Sequence, residues 1–432
     1  MGRIHFTNAR LVDGDGSART GVTVVVEGER IVRVADTGSV EAGDGNEVYD
    51  LGGRTVMPGM VIGHYHATYT NIGPGSPPVG MEAPPAMQTL RAVKHLGLAL
   101  RSGFTGVVSA GAPFAIDASC KAAIAEGLIE GPRIVAGSRD VSTTGHLQDL
   151  FYQWHWAPGM GPQTNIVDGV DGFRRAVREE AKRGAEIIKI FASTGHGLPA
   201  ARYSMEMTED ELGAAIETAH QRGIRARAHL ARKDAIMAAV RLGIDVVDHG
   251  DGLDTECIDL MIEKGTFLVP SLHFPHRVLQ IAPDAFGGEM KSDFEKMLAI
   301  LPEANARGLK ITLGDDYGAS PLDHGQYGSE LEFYVKVAGF AAPDVIRWAT
   351  RNGAELMGMG DELGFIREGY LADLLVVDGD PIADISLLAS SDALLAVMKG
   401  GVFATQSLER CAPAGTHAAT PARTVAPAMA HN

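Results

Sequence analysis

Past Pro58, short apolar runs alternate along the chain with segments of helical spacing. Eight such runs could form buried strands, and most are followed by a segment whose apolar positions share one helical face, such as 209–222 and 233–242. This alternation predicts a parallel sheet, and eight units predict a closed (β/α)8 barrel, the TIM barrel. The predicted strands cover residues 60–62, 106–109, 133–137, 186–192, 225–230, 245–249, 267–272 and 310–313.

The segments before Pro58 and after Met359 follow a different pattern. They are predicted to form strands without intervening helices, at 3–12, 21–27, 30–35, 364–366, 373–377 and 395–397. We therefore predict an α/β chain with a small β-sandwich domain built from 1–57 and 360–410, and a barrel domain at 58–359 inserted between its halves. Residues 411–432 are rich in Ala, Pro and Thr, which predicts a flexible tail.

Composition narrows the possible functions. The 432 residues carry a formal net charge of −16, which argues against nucleic acids and anionic membrane surfaces as partners. The three cysteines lie far apart, so neither a disulfide framework nor a cysteine-ligated zinc site is expected. No apolar run approaches the roughly 20 residues of a membrane-spanning helix. The first residues lack a signal-peptide core, and a cytoplasmic enzyme is expected unless a signal was removed earlier.

The predicted strand ends carry a set of metal-binding side chains. His64 and His66 are two residues apart, so both imidazoles point the same way and can converge on one ion. His229 and His249 end the fifth and sixth strands, and 315–316 is an Asp pair at the end of the eighth. Such barrels place their active sites at this rim. The alternative for the first pair alone is two satisfied histidines near a loop.

Lys189 lies inside the apolar fourth strand, where an unpaired ammonium group would be costly. One interpretation is a lysine that forms a salt bridge inside the barrel mouth. The other is a lysine whose neutral amine reacts with CO2 to give a carbamate, which could bridge two metal ions. The residue pattern leaves both interpretations open.

The order of these residues resembles the amidohydrolase superfamily: an HxH pair, a strand-four lysine, histidines on strands five and six, and a strand-eight aspartate. The resemblance covers roughly 3–405, and it includes Pro-Gly-Met at 58–60 and Gly-Tyr-Leu-Ala-Asp-Leu at 369–374. Within the superfamily, the chain is most similar to the imidazolonepropionase-like branch, which includes Xaa-Pro dipeptidases and ochratoxin-hydrolysing amidases. Gly-Ala at 184–185 and Asp-His-Gly at 323–325 are typical of that branch.

The resemblance implies a site with two divalent metal ions. The first ion would be bound by His64, His66 and Asp316, and the second by His229 and His249. Carboxylated Lys189 would bridge the two ions. Zinc is the first expectation, with manganese, iron or cobalt as alternatives. The ions would activate a bridging hydroxide, and Asp316 would carry its proton to the leaving amine.

Two positions depart from the family pattern. Ile62 stands where similar enzymes have an aspartate that precedes the HxH pair, so His64 and His66 must be supported differently. The eighth strand ends in Asp315 and Asp316, where similar enzymes have Thr or Ser before a single aspartate. Asp316 matches by register, and Asp315 is the competing candidate.

The substrate side is predicted from loops. His146 is expected to face the substrate carbonyl, as a catalytic and substrate-binding residue, with a rim histidine as the alternative. His196 and His324 are further substrate-binding candidates, and Arg202 with Tyr203 could receive a substrate carboxylate. The expected substrate is an N-acyl amino acid or dipeptide with an aromatic or hydrophobic C-terminal residue, ochratoxin A included. Alternatives are a cyclic amidase, a deaminase or a non-catalytic metal-binding protein. A homo-oligomer is expected.

Overall fold

The computed structural model describes residues 2–40, 43, 45–73, 76–146, 149, 164–197 and 205–411. Their strands, in chain order, are β1 Ile4–Val12, β2 Ala18–Glu27, β3 Arg30–Asp36, β4 Glu47–Asp50, β5 Thr55–Pro58, β6 Met60–Tyr65, β7 Phe104–Ser109, β8 Arg133–Val135, β9 Gly137–Ser142, β10 Thr164–Ile166, β11 Ile187–Phe191, β12 Arg225–Leu230, β13 Val246–His249, β14 Phe267–Val269, β15 Lys310–Ile311, β16 Leu374–Val377, β17 Leu394–Lys399 and β18 Val402–Gln406.

The helices of the same residues lie mainly in the connections between the central strands. They are α1 Pro85–Arg101, α2 Ile116–Ala125, α3 Gly169–Lys182, α4 Glu209–His220, α5 Lys233–Arg241, α6 Thr255–Lys264, α7 His273–Ile281, α8 Glu289–Ala306, α9 Gly328–Glu332, α10 Ala342–Arg347 and α11 Gly353–Leu356. Local sequence sets their ends. Thr208 and Glu211 form a capping box before α4, and Gly265 ends α6 in the left-handed conformation.

The central strands form two parallel sheets, in the orders β6-β7-β8 and β10-β9-β11-β12-β13-β14-β15. A single residue, Ala136, separates β8 from β9, so the chain passes directly from one sheet to the other. At the other side, the Gly63 N–H donates to the carbonyl of Leu313, 2.6 Å away. This links the first predicted barrel strand to the eighth. The closed barrel stays a prediction, which this hydrogen bond supports.

Each of the eight predicted barrel strands overlaps an observed strand, with differences at the ends. The seventh ends at Val269, because Pro270 cannot donate a backbone hydrogen bond. The third is split into β8 and β9, and β10 was not predicted. The segment 364–366, predicted as a strand, is a loop: Gly364 has a positive φ of 85°, and the Ile366 N–H donates to the carboxylate of Asp13.

The two ends of the chain meet in one eight-stranded sheet. Its order is β18-β17-β16-β5-β1-β2-β3, and β4 pairs with β1. The antiparallel pairing of β5 with β16 joins the halves, and Phe6, Val24, Leu374 and Met398 share one core. The prediction missed β4, β5 and β18. The sandwich and the domain boundaries stay predictions. Within the described part of the chain, no helix is both long and apolar enough to cross a membrane.

Candidate metal centre

Three predicted ligands meet at the carboxyl end of β6. The Nε2 atoms of His64 and His66 lie 3.2 Å apart. Oδ1 of Asp316, just beyond β15, lies 3.0 Å from Nε2 of His64 and 3.4 Å from Nε2 of His66. Both histidines are buried, whereas the Asp316 side chain is 19% exposed. Asp316 is therefore the member of this group that incoming water or substrate can reach.

His249 and His229 lie next to this group, at the ends of β13 and β12. One ligand atom each of His64, His249 and Asp316 lie within 4.8 Å of one another. The ring centroids of His229 and His249 are 4.5 Å apart, and Nε2 of His229 lies 3.3 Å from the Gly195 carbonyl oxygen. His249 has a φ of +71°, which is strained for a residue with a Cβ and redirects the chain at the strand end.

The Nδ1 contacts of His64 and His66 determine which nitrogen of each ring faces the centre. Nδ1 of His66 lies 3.1 Å from the Gly111 carbonyl oxygen, and Nδ1 of His64 lies 3.1 Å from Oδ1 of Asp248. A carbonyl or carboxylate oxygen can only accept, so Nδ1–H of His66 donates to Gly111. Nδ1 of His64 also lies 3.2 Å from the NH2 group of Arg227, but that group donates to Asp248, and we assign Nδ1–H of His64 as the donor to Asp248. This leaves the Nε2 lone pairs directed at Asp316, which is the way that ligating histidines are held in metal sites.

The electrostatics of the cluster suit a divalent cation. Burial lowers the pKa of His66 to about 4 and holds the pKa values of His229 and His249 well below the usual range. These imidazoles are therefore neutral at pH 7. Burial would raise the pKa of Asp316, but its contacts with His64 and His66 outweigh burial and hold that pKa well below its usual range. Neutral imidazoles around a carboxylate fit zinc and similar ions.

Lys189 points toward the same centre but contacts another partner. Its Nζ lies 2.6 Å from Oδ2 of Asp248 and 5.0 Å from the Phe191 ring centroid, and its side chain is 1% exposed. The contact seen is therefore the salt bridge, the first of the two interpretations. A carbamate on Lys189 stays a prediction.

The structure separates the two adjacent aspartates. Oδ1 of Asp315 accepts from the backbone N–H of Asp316 at 2.8 Å, and Oδ2 accepts from the N–H of Phe274 at 2.9 Å. Asp315 is fully buried, and burial raises its pKa to about 7. Of the two, Asp316 is the one that faces the histidines.

Two charged residues that the sequence analysis missed, Arg227 and Asp248, lie beneath His64. Both side chains are fully buried, and they form an ion pair. A signal was present for Arg227, because it stands two residues before His229 on the same strand and must point to the same side. Asp248 stands directly before His249, where simple alternation would place it on the opposite face.

The family model described as "Amidohydrolase family" matches residues 55–404. The chain belongs to this family. It is 29% identical over 376 residues to an ochratoxinase of Aspergillus niger, which covers 80% of this chain and 75% of the relative. The chain is therefore a hydrolase that acts on amide or similar carbon–nitrogen bonds.

Solved structures agree with this assignment. A Xaa-Pro dipeptidase crystallised with methionine in its active site is 29% identical and has a TM-score of 0.82, covering 93% of this chain and 99% of that chain. The structure of A. niger ochratoxinase is 25% identical and has a TM-score of 0.80, covering 94% of this chain and 96% of that chain. The similarity therefore extends over both the central strands and the terminal sheet.

Of the substrate-side candidates of this amidohydrolase, His146 follows β9. Its Nδ1 lies 3.0 Å from Oγ of Ser142, and its Nε2 lies 3.8 Å from Oε1 of Glu206. Within the described ranges, Nε2 has no hydrogen-bond partner although it is buried. Burial lowers the pKa of His146 to about 4, so the ring is neutral at pH 7.

His196 lies directly beside the candidate metal centre. Its ring stacks on that of His249 with centroids 3.9 Å apart, and its Nδ1 lies 3.0 Å from Oδ1 of Asp251. Burial lowers its pKa, but the charge of Asp251 outweighs burial and raises the pKa to about 9. Nε2 of His196 has no hydrogen-bond partner among the residues that the structure describes. It remains a candidate for substrate contact.

His324 contacts two tyrosines, and its predicted role in substrate binding stays a prediction. Nδ1 lies 2.9 Å from the Tyr327 hydroxyl, and Nε2 lies 3.2 Å from the carbonyl oxygen of Tyr69. Both ring nitrogens are therefore engaged inside the protein. The Tyr69 ring in turn stacks on that of His66, with centroids 3.8 Å apart, so His324 is linked to the candidate metal centre through Tyr69. Arg202 and Tyr203 lie outside the described residues, so their predicted role stays a prediction.

Proposed function

We propose that this protein is a metal-dependent amidohydrolase that cleaves the amide bond of an N-acyl amino acid or dipeptide with an aromatic or hydrophobic C-terminal residue. The observation that carries the proposal is the convergence of His64, His66 and Asp316 with His249. These side chains come from distant parts of the chain, yet their ligand atoms meet at one rim of the strands. Family membership makes amide hydrolysis the reaction that such a site serves.

The predicted ligands are assigned to two proposed ion sites. His64, His66 and Asp316 would hold one ion, and His229 and His249 would hold the other, with a carbamate on Lys189 between them. Zinc fits the donors first, since imidazole and carboxylate ligands suit it. When bound, such ions lower the pKa of water and polarise a carbonyl group.

Asp316 is proposed to move the proton. Its low pKa keeps the carboxylate ionised at neutral pH, so it can accept a proton from attacking water. The same carboxyl group can then protonate the departing amide nitrogen, which is a poor leaving group as an anion. The 19% exposure of its side chain gives the substrate access to it.

His146 is proposed to orient the substrate carbonyl. Its Nδ1 is held by Ser142, which leaves Nε2 as the atom that can contact substrate. A neutral imidazole with a donor N–H at Nε2 can hydrogen-bond a carbonyl oxygen as negative charge develops there. The hydroxyl of Ser142 can donate to Nδ1, which favours that tautomer.

The preference for hydrophobic substrates rests on the surroundings of His196. His196 lines a small cavity with Leu272, Phe286 and Met290, which lie between β14 and the first turn of α8, and with the carboxylates of Asp251, Glu289 and Asp293. The ochratoxinase and Xaa-Pro dipeptidase similarities point the same way. The segment 151–156 contains four aromatic residues, which also favour such a substrate, and it lies outside the described residues. A homo-oligomer stays a prediction.

The proposal is tested by a hydrolysis screen of the purified chain, stripped of metal and then reloaded with zinc, manganese or cobalt. The panel comprises Ala-Phe, Ala-Pro, Ala-Asp, N-acetyl-phenylalanine and ochratoxin A. We expect release of the C-terminal residue, restored by metal, with Phe-containing substrates ahead of Ala-Asp. Metal-independent turnover, or ammonia release from an amino-purine without any amide hydrolysis, would contradict the proposal.

A further inference from the structure

A buried ion pair lies directly beneath the metal centre. Arg227 on β12 and Asp248 on β13 are both 0% exposed. Nε of Arg227 donates to Oδ2 of Asp248 at 3.0 Å, and its NH2 group donates to Oδ1. Two full charges removed from water are costly, so such a pair is kept only where its geometry satisfies both groups.

The pair contacts the part of the chain that carries the predicted ligands. Oδ1 of Asp248 accepts from Nδ1–H of His64, 3.1 Å away. The NH1 group of Arg227 donates to the carbonyl of Gly63 at 3.0 Å and to that of Ser109 at 2.9 Å. Arg227 therefore fixes the backbone beside His64, while Asp248 fixes the ring.

The contact explains a departure noted in the sequence. Ile62 occupies the position at which similar enzymes place an aspartate, and it is buried at 1% exposure. No carboxylate can come from that residue of β6. Asp248 instead supplies one from a different strand, and Arg227 holds it in place.

We propose that Arg227 and Asp248 are a positioning pair that directs Nε2 of His64 toward the metal. The inference rests on the proposed metal centre. Asp248 would act through His64 by fixing its tautomer and ring orientation, and Arg227 would act through Asp248 and the Gly63 carbonyl. A group oriented in this way binds metal more tightly, because less rearrangement accompanies binding.

A matched ion pair elsewhere provides the control. Arg139 on β9 donates to Glu180 on α3, with side chains 7% and 3% exposed and donor–acceptor distances of 2.9 and 2.6 Å. It has the same chemistry and similar burial, but it ties a strand to a helix and contacts none of the predicted ligands. Arg227→Met and Arg139→Met therefore each remove one arginine charge from a buried carboxylate, and Asp248 keeps a second cation, Nζ of Lys189 at 2.6 Å.

The experiment measures zinc affinity of the stripped protein by competition with a chelator, together with thermal unfolding without metal. Both variants should unfold at lower temperature than wild type. Arg227→Met should bind zinc roughly 10–100-fold more weakly, whereas Arg139→Met should stay within about twofold of wild type. Asp248→Asn, which keeps an acceptor for His64, should lose less affinity than Asp248→Ala. This ordering is not expected if the pair only stabilises the fold.

The outcomes distinguish a failure of the positioning role from a failure of the proposed function. If wild type binds zinc and Arg227→Met binds it as tightly as Arg139→Met, the positioning role is wrong and the proposed function stands. If wild type binds no divalent metal, the proposed function fails, and this role fails with it. Should Arg227→Met not fold, equal zinc affinities of Asp248→Asn and Asp248→Ala would overturn the role.

Discussion

The two halves of the proposed metal centre differ in how completely the fold assembles them. In the first group, His64, His66 and Asp316, the facing atoms lie 3.0–3.4 Å apart. In the second group, Lys189, His229 and His249, the amine is bound to Asp248 and Nε2 of His229 lies against the Gly195 carbonyl. Of the second group, only His249 has a ligand atom that lies within 4.8 Å of those of both His64 and Asp316.

The difference has a simple physical origin. The first group lies on one strand with period-two side chains and on the loop that pairs with that strand through Gly63, so the backbone brings its residues to one place. The second group depends on Lys189, which must leave its ion pair with Asp248 before it can form a carbamate and bind metal. We therefore expect the first group to bind a metal ion more tightly than the second.

The largest expected effect concerns Asp316 in the first group. Asp316→Asn should lower kcat/KM by roughly 10³-fold or more, because the amide cannot carry the proton, while metal content stays close to wild type. Asp315→Asn is the control, since among the described residues Asp315 accepts from the backbone N–H groups of Asp316 and Phe274. Kinetic assays with metal analysis check this, and a greater loss in Asp315→Asn would reverse the assignment.

Lys189 tests the second group. Lys189→Ala should lower activity by on the order of 10³-fold, because a second ion contributes several kcal/mol to stabilising the transition state. Lys399→Ala is the matched control, since this half-buried lysine donates to the Gly131 carbonyl far along the chain from the centre. Near wild-type turnover in Lys189→Ala would mean that one ion suffices.

His146 belongs to neither group and should act on substrate alone. His146→Asn should lower kcat by about 10²-fold, the cost of losing one hydrogen-bond donor to the developing oxyanion. Metal content should be unaffected, because His146 is not a predicted ligand. The check is steady-state kinetics with metal analysis, and loss of an ion from this variant would show that the residue has a different role.

The smallest effect is expected from pH on the free energy of unfolding, and it should be similar for histidines of both groups. The pKa of His66 is lowered from 6.5 to about 4, so above pH 6.5 the ring is neutral in both folded and unfolded chains. Between pH 6.5 and 4 the unfolded chain gains a proton that the folded chain does not, and the free energy of unfolding falls. The fall is about 1.4 kcal/mol per pH unit for each such histidine.

Denaturant titrations of the metal-free protein measure this dependence. His66→Gln and His229→Gln should each show a shallower decline between pH 6.5 and 4.5 than wild type. An unchanged slope in both variants would mean that these rings are already protonated in the folded chain.

Simple periodicity predicted the eight strands, each of which overlaps an observed strand, and the orientation of the His64–His66 pair, whereas Asp316 joined that pair only through the resemblance to the family. The choice between Asp315 and Asp316 could not be made from sequence alone, since it depends on a one-residue register at a turn. Asp248 was missed for a related reason. Side-chain alternation fails where His249 adopts a positive φ, so the side chains of Asp248 and His249 are both buried although the two residues are adjacent. The contacts of His324 could not be predicted either, because the Tyr69 carbonyl and the Tyr327 hydroxyl reach it only through the tertiary fold.

Zinc titration of the stripped protein in bicarbonate buffer tests most directly whether the centre binds two ions with unequal affinity. We predict two binding events in wild type, about one ion each, of which only the weaker is lost in Lys189→Ala. A single event in wild type that Lys189→Ala leaves unchanged, or no binding at all, would contradict the account.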